Sequence, residues 1–268
     1  MGLTKQILLL SDLHVGSLWG LWPPGFETID DRFGDAVKFT LNTTQKNLWK
    51  HWQKMINSVN PDCIILNGDL IDGLQWRERG RGLVTPNLSW QIEACIAVLD
   101  TLPKCPMYFT QGTGYHELED GRPVEKAIAD DFDGQFGDEL IVEECGIRLF
   151  CRHHIGASQS TWQYMTTAPA RDHMLLYLNK SADKYGAIDV AVFSHRHSFV
   201  AACYVSGMAL VTPCWQTKTP YAVKKGIVSP PDIGWVTLNI DNRRHIAIDR
   251  NGITHLQRPC KIVGRDRK

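Results

Sequence analysis

Short apolar runs alternate along the chain with longer stretches of helical periodicity. Lys5–Leu10, Asp62–Asn67 and Met107–Gln111 are nearly continuous hydrophobic runs of strand length, and each gives way to a polar or glycine-bearing segment. Between them, Asn42–Val59 places Trp49, Trp52, Met55 and Ile56 on one helical side, and Ser89–Leu102 predicts a second helix. The order strand, helix, strand, helix, strand predicts stacked α/β layers with a mainly parallel sheet. Beyond about residue 139 the texture turns to β. Leu140–Val142 and Ile147–Arg152 flank Gly146 as a hairpin, and Ala168–Tyr185 predicts a helix. Val190–Ser194, Ala201–Val205, Met208–Thr212, Gly234–Ile240 and His245–Ile248 predict strands. Residues 17–35, with Pro23-Pro24 and several glycines, predict a long surface excursion, and residues 72–88 a further loop. No repeat or linker divides the chain. The expectation is one domain over residues 1–268, with a core over about 5–250 and a frayed tail over about 251–268.

Composition narrows the function classes. The 268 residues carry 29 basic and 29 acidic side chains, so the formal net charge is zero. That argues against bulk electrostatic coating of nucleic acid but leaves room for a local basic groove. Eight cysteines are present without a C-x-x-C pair, and most sit in apolar runs such as Cys63-Ile64-Ile65-Leu66. They predict small buried hydrophobes rather than a zinc ribbon or a thiol redox motif. Met1-Gly-Leu-Thr-Lys-Gln6 lacks a signal-peptide core and the Ser or Thr of a myristoylation signal. With no apolar run of membrane-spanning length, the expectation is a cytoplasmic protein with no membrane partner.

The ten histidines change the picture more than the charge does. Asp12 and His14 follow the first strand, Asp69 the second and His116 the third. His153 and His154 end the strand that begins near Ile147, and His195 and His197 follow Ser194. Loops at the carboxyl ends of strands gather on one sheet edge, where α/β proteins bind ligands. Residues two apart on an extended segment face the same way, so Asp12 with His14, and His195 with His197, can each aim a pair at one site. Carboxylates and imidazoles converging there suit divalent transition metals. His51, His173, His245 and His255 fall outside this order and are expected to be packing or surface residues.

These motifs resemble those of the calcineurin-like metallophosphoesterases: Asp12-Leu-His14, Gly68-Asp69, Gly112-Thr-Gly-Tyr-His116-Glu117, His153-His154 and Ser194-His195-Arg-His197. The resemblance spans about residues 5–200, and the variant third motif is most similar to a branch common in bacteriophage genomes, whose members would work in the host cytoplasm. It implies a four-layer α/β/β/α sandwich of two mixed β-sheets flanked by helices. It also implies two divalent transition metal ions, manganese foremost, with iron, zinc, nickel or cobalt as alternatives. Asp12, His14 and His197 would hold one ion. Asp69 would bridge both, and His195 with His153 or His154 would hold the second, with a slight preference for His154. The implied activity is phosphoester hydrolysis by a hydroxide held between the metals, with His116 as general acid and Glu117 orienting it.

Two departures bear on substrate. The family's Asn ligand is missing, leaving Thr113, a backbone carbonyl or water to serve. No arginine follows Asp72, unlike in the Ser/Thr protein phosphatases. The loop holding Trp76, Arg77, Arg79 and Arg81 offers guanidinium groups for phosphate and an aromatic face for a base, or else a solvated loop. Trp19, Trp22 and Phe26 could line a cleft or pack beneath it. The leading expectation is a phosphodiesterase acting on DNA, RNA or a nucleotide. The alternatives are a phosphomonoesterase for phosphoprotein or small metabolites, and a non-catalytic metal-binding interaction module.

Overall fold

The computed structural model describes residues 4–30, 32–114, 122–155, 164–178, 186–227 and 229–256. His116, Glu117, Cys260, residues 179–185 of the expected third helix and residues 257–268 of the expected tail lie outside the described residues.

The first sheet is built on four parallel strands, β1 (Thr4–Leu10), β4 (Cys63–Asn67), β5 (Met107–Thr110) and β6 (Gln135–Gly137). On its other side β12 (Val236–Asp241) runs antiparallel to β1, and β13 (Ile246–Asp249) antiparallel to β12. The sheet is therefore mixed, in the order β13-β12-β1-β4-β5-β6. Helices α1 (Thr43–Ile56), α2 (Leu88–Leu99) and α3 (Val124–Asp131) connect its parallel strands, as parallel pairing requires. A reciprocal capping box starts α1: Asn42 Oδ1 accepts from the Gln45 N–H, and Gln45 Oε1 accepts from the Asn42 N–H. Its inner face centres on Leu48, Trp52 and Met55, while Trp49 and Ile56 flank it half-buried.

The second sheet has the order β10-β11-β9-β8-β7, from β7 (Leu140–Glu144), β8 (Ile147–Cys151), β9 (Val190–Phe193), β10 (Val200–Tyr204) and β11 (Gly207–Val211). Here β8, β9 and β11 are parallel. A small hairpin of β2 (Glu27–Asp30) and β3 (Asp35–Lys38), the helix α4 (Thr167–Leu178) and the short α5 (Pro220–Lys224) complete the elements.

Alternation along the strands explains the layers. Ile7, Leu9, Cys63 and Ile65 meet Leu149, Cys151, Val190 and Val192 between the sheets. Leu8, Leu10, Ile64 and Leu66 face the other way and pack with α1, α2 and α3 residues such as Trp52, Cys95 and Ile128. Phe150, Ala191 and Phe193 pack with Ala168 and Leu176 of α4. The result is the α/β/β/α sandwich, and strands covered on both faces read as continuous apolar runs for that reason.

Three expectations change. The segment 17–35 is not a surface excursion throughout. Ser17, Leu21 and Trp22 are buried, and Trp22 packs edge-on against Phe26 and Phe39, so only the part beyond Pro23 is largely exposed. The aromatic content of residues 18–22 outweighs the turn signal of the prolines that follow. Both α3 and β6 occupy a stretch to which the sequence reading assigns no element. Cys203 is exposed on β10, whereas Cys63, Cys95, Cys151 and Cys214 are buried as expected.

Buried polar residues at the strand ends join the two sheets. Asn67 Nδ2 donates to Ser194 Oγ at 2.6 Å and to the Arg152 carbonyl at 3.2 Å, while Asn67 Oδ1 accepts from Thr110 Oγ1 at 2.7 Å. Ser194 Oγ lies 2.6 Å from Thr212 Oγ1, which lies 2.7 Å from Ser11 Oγ. Each buried group left without a partner costs about 1–3 kcal/mol. Asn67→Ala is expected to lower unfolding free energy by roughly that amount in a urea titration. A loss under about 0.5 kcal/mol would show that these bonds do not hold the sheets together.

Candidate metal centre

The carboxyl ends of β1, β4, β5, β8 and β9 open on one edge of the sandwich. The loops after β1 and β4 run side by side: Asp12 N–H donates to the Gly68 carbonyl at 3.0 Å and His14 N–H to the Asp69 carbonyl at 3.1 Å. An isolated bridge between Val15 and Ile71 extends the pairing past both loops. Extended alternation does not set the ligand directions. Asp12, His14, Asp69, His195 and His197 all adopt the left-handed conformation, with φ between 46° and 73°. Such residues are held at a cost of order 1–3 kcal/mol each and concentrate at functional sites.

The side chains form two groups, Asp12 with His14 and His197, and Asp69 with His153 and His195. Within each group the nearest ligand-type atoms all lie within 4.8 Å of one another. His14 Nε2 and His197 Nε2 face each other at 3.1 Å, and His197 Nε2 lies 3.1 Å from Asp12 Oδ1. His153 Nε2 approaches Asp69 Oδ2 at 3.0 Å, and His195 Nδ1 lies 3.9 Å from the same oxygen. Asp12 Oδ1, His153 Nε2 and His195 Nδ1 are buried atoms whose close neighbours are not aligned as hydrogen-bond partners. Buried polar atoms normally find partners. Imidazole and carboxylate atoms converging without them suit a divalent cation, so the residues present fit the implied metals.

Glycine is required where these side chains pass the backbone. A Cβ on Gly68, at φ 79°, would come within 2.6 Å of the His153 ring, and one on Gly112 within 2.4 Å of Asp69 Oδ1. Thr113 stands where the resemblance expects Asn. Its N–H donates to Asp69 Oδ1 at 2.6 Å and its hydroxyl to the same oxygen at 3.1 Å, so it steadies the carboxylate.

The charges balance locally. Burial would raise Asp12, but His153 and His197 outweigh it and hold the carboxyl at about 2. Burial would lower His153, but Asp69 and Asp12 lift it to about 9. Burial likewise lowers His197, while Cys214 and Asp12 hold it well above its usual value.

No protein-family model matches the sequence, and no curated protein matches it significantly. Solved structures do. A novel archaeal phosphodiesterase is 12% identical with a TM-score of 0.45, covering 93% of this chain and 100% of its own. Vps29 from Entamoeba histolytica, solved in complex with zinc, is 12% identical with a TM-score of 0.42, covering 91% and 97%. A predicted phosphoesterase from Streptococcus pneumoniae is 10% identical with a TM-score of 0.39, covering 96% and 100%. At these identities and scores the likenesses carry no functional weight.

The structure separates the paired histidines. His153 is buried beside Asp69, whereas His154 is exposed beside His195, with ring centroids 4.8 Å apart. The group around Asp69 therefore contains His153 and not His154, the residue the sequence slightly favoured. The pleat carries the signal: Ile147, Leu149 and Cys151 face the inter-sheet core, and the same alternation turns residue 153 inward. A cavity of about 580 Å³ opens over the two groups, and Trp19, Trp76, Arg81, Thr113, Tyr221 and Lys224 are among its lining residues. Arg79 is exposed and does not line it. The Arg77 side chain lies outside the described atoms. Glu125 on α3 goes unremarked in the sequence. It is buried, accepts weakly from the Leu70 N–H at 3.4 Å, and is raised by burial and by Asp69. No motif marks it; only the Val124 and Ile128 spacing hints at the helix that carries it.

The sign of the pH dependence follows. His153 titrates at about 9 in the metal-free fold against an ordinary 6.5. Its contribution to apo stability is complete below about pH 6.5 and is lost as pH rises through about 9. The same proton must leave before the ring can ligate a metal. Affinity for Zn²⁺ or Mn²⁺ is therefore expected to rise from about pH 6 to about pH 9. Calorimetry near neutral pH in buffers of differing ionisation heat checks this, and uptake without proton release would contradict it.

Proposed function

We propose that the chain is a divalent-metal-dependent phosphoester hydrolase acting on phosphodiesters of nucleotides or nucleic acid. The observation that carries this reading is the convergence of two Asp/His groups on the floor of one cavity whose walls hold both cations and flat rings. Asp12, His14 and His197 would hold one ion, and Asp69, His153 and His195 the other, with Asp69 shared. Bound ions would supply Lewis-acid charge for phosphate oxygens and an activated water near neutral pH. Four imidazoles and two carboxylates admit manganese, which we favour, and also iron, zinc, nickel or cobalt.

The chain's own groups do the rest. Thr113 fixes the orientation of Asp69. Arg81 places positive charge along the wall for phosphate, where Lys224 is paired with Glu78, and Trp76 and Tyr221 present rings on which a base can stack. His116 would protonate the leaving alkoxide with Glu117 orienting it, roles that rest on the motif resemblance. His154, exposed beside His195, stands on the solvent side of the second group.

Hydrolysis of bis-(p-nitrophenyl) phosphate with added Mn²⁺ is expected to exceed that of p-nitrophenyl phosphate and to vanish with chelator. A preference for the monoester would favour the phosphomonoesterase reading, and inactivity with every metal would favour a binding module. His116→Ala is expected to lose about 10²–10⁴-fold in kcat with metal content unchanged, as for loss of a general acid.

The cavity wall makes a separate prediction. Arg81→Ala is expected to raise KM for a dinucleotide and to flatten its salt dependence, while Arg79→Ala changes neither. Equal effects of both would mean that the wall does not contact the substrate.

A further inference from the structure

Asp72 lies outside both Asp/His groups, yet it is 4% exposed and has no place in the chemistry derived above. A carboxylate so buried needs several donors to remain charged. Three converge on it. His14 Nδ1 is 3.0 Å from Oδ1, Gln216 Nε2 donates to Oδ1 at 3.1 Å, and Gln75 Nε2 donates to Oδ2. The backbone fixes the carboxylate as well: the Asp72 N–H donates to the Val15 carbonyl at 2.9 Å, across the paired loops that carry His14.

We infer that Asp72 is a positioning residue that sets the tautomer and ring angle of His14 and ties that ligand to the cavity wall. An ionised carboxylate only accepts hydrogen bonds, so the proton of a neutral His14 ring sits on Nδ1. That leaves the Nε2 lone pair aimed at His197 and Asp12, where the first group converges. The second link runs outward. Gln75 donates to Asp72 through Nε2 and accepts from the Gly82 N–H through Oε1 at 3.1 Å. The turn between them carries Trp76 and Arg81, both of which line the cavity. Gln216 makes a parallel link, donating to Ser17 Oγ at 3.1 Å as well as to Asp72. One carboxylate thus joins the metal-facing imidazole to the turn that would meet the substrate.

This inference rests on the metal-centre reading, and its test reads metal binding without catalysis. Mn²⁺ or Zn²⁺ alone is titrated into the full chain by calorimetry, with circular dichroism as a check on folding. Asp72→Ala is expected to weaken one of the two ions by about 10–100-fold and spare the other, the usual cost of losing such a partner. Asp72→Asn keeps an oxygen for the His14 Nδ1 proton and is expected to restore most of that loss. Gln75→Met is expected to weaken the same ion by a smaller factor. Wild-type affinity for both ions in Asp72→Ala, or equal weakening of both, overturns the positioning role. If Asp72→Ala does not fold, Asp72→Ser, whose short hydroxyl does not reach His14 Nδ1, takes its place with the same expectation, and wild-type affinity for both ions in it overturns the role. An unchanged Gln75→Met titration overturns the tether to the wall. A wild-type protein that takes up neither ion defeats the metal centre itself and this inference with it, whereas two-ion uptake unaltered in Asp72→Ala defeats the inference alone.

Discussion

Asp12 and Asp69 end adjacent parallel strands, and both carboxylates are buried. Two like charges removed from water at one place cannot persist without compensation. The compensation here is imidazole. His153 and His197 lower Asp12, and Asp69 and Asp12 raise His153. That mutual dependence dictates the local backbone. The His153 ring takes the space above Gly68 that a side chain would need, Asp69 takes the space above Gly112, and the Asp and His residues that follow β1, β4 and β9 adopt left-handed conformations. The same atoms that compensate each other in the metal-free fold are those a cation would take over.

The sandwich makes this arrangement possible because both sheets present parallel strand ends on one edge. Asp12 and Asp69 come from the first sheet, and His153, His195 and His197 from the second. Their separation is set by what lies beneath. Ser11, Asn67, Thr110, Ser194 and Thr212 form a continuous chain of buried hydrogen bonds that crosses from one sheet to the other. Asn67 also accepts from His153 Nδ1 through its carbonyl at 2.6 Å, so the layer that joins the sheets directly orients the His153 ring above it. A fully satisfied buried network of this kind rigidifies its surroundings.

Much of this is legible in the sequence because it is local. A strand buried on both faces reads as an unbroken apolar run, and the polar residue that ends it marks the sheet edge, which is why Asp12, Asp69 and His195 stand out. The layered fold follows from the order of those runs. What escapes depends on partners distant in the chain. Residues 17–22 look like loop until Gln216 and Thr217 close over them, and Asp72 reads as part of a turn until His14 and Gln216 approach it. Glu125 is buried only because α3 packs beneath the Asp69 loop. The choice between His153 and His154 was available in the pleat of β8, but only once its inner face was known.

Floor and wall of the cavity differ in what holds them. The floor stands on the buried hydrogen-bonded layer beneath it and on a backbone held in left-handed conformations. The wall is built from the turn around Trp76–Glu78 and from α5, two short elements joined by the Lys224–Glu78 contact at 3.0 Å. That pair is partly exposed, and such pairs contribute only about 0–1 kcal/mol. Asp72 is where the two meet, since its carboxylate bonds His14 on the floor and, through Gln75, the turn of the wall.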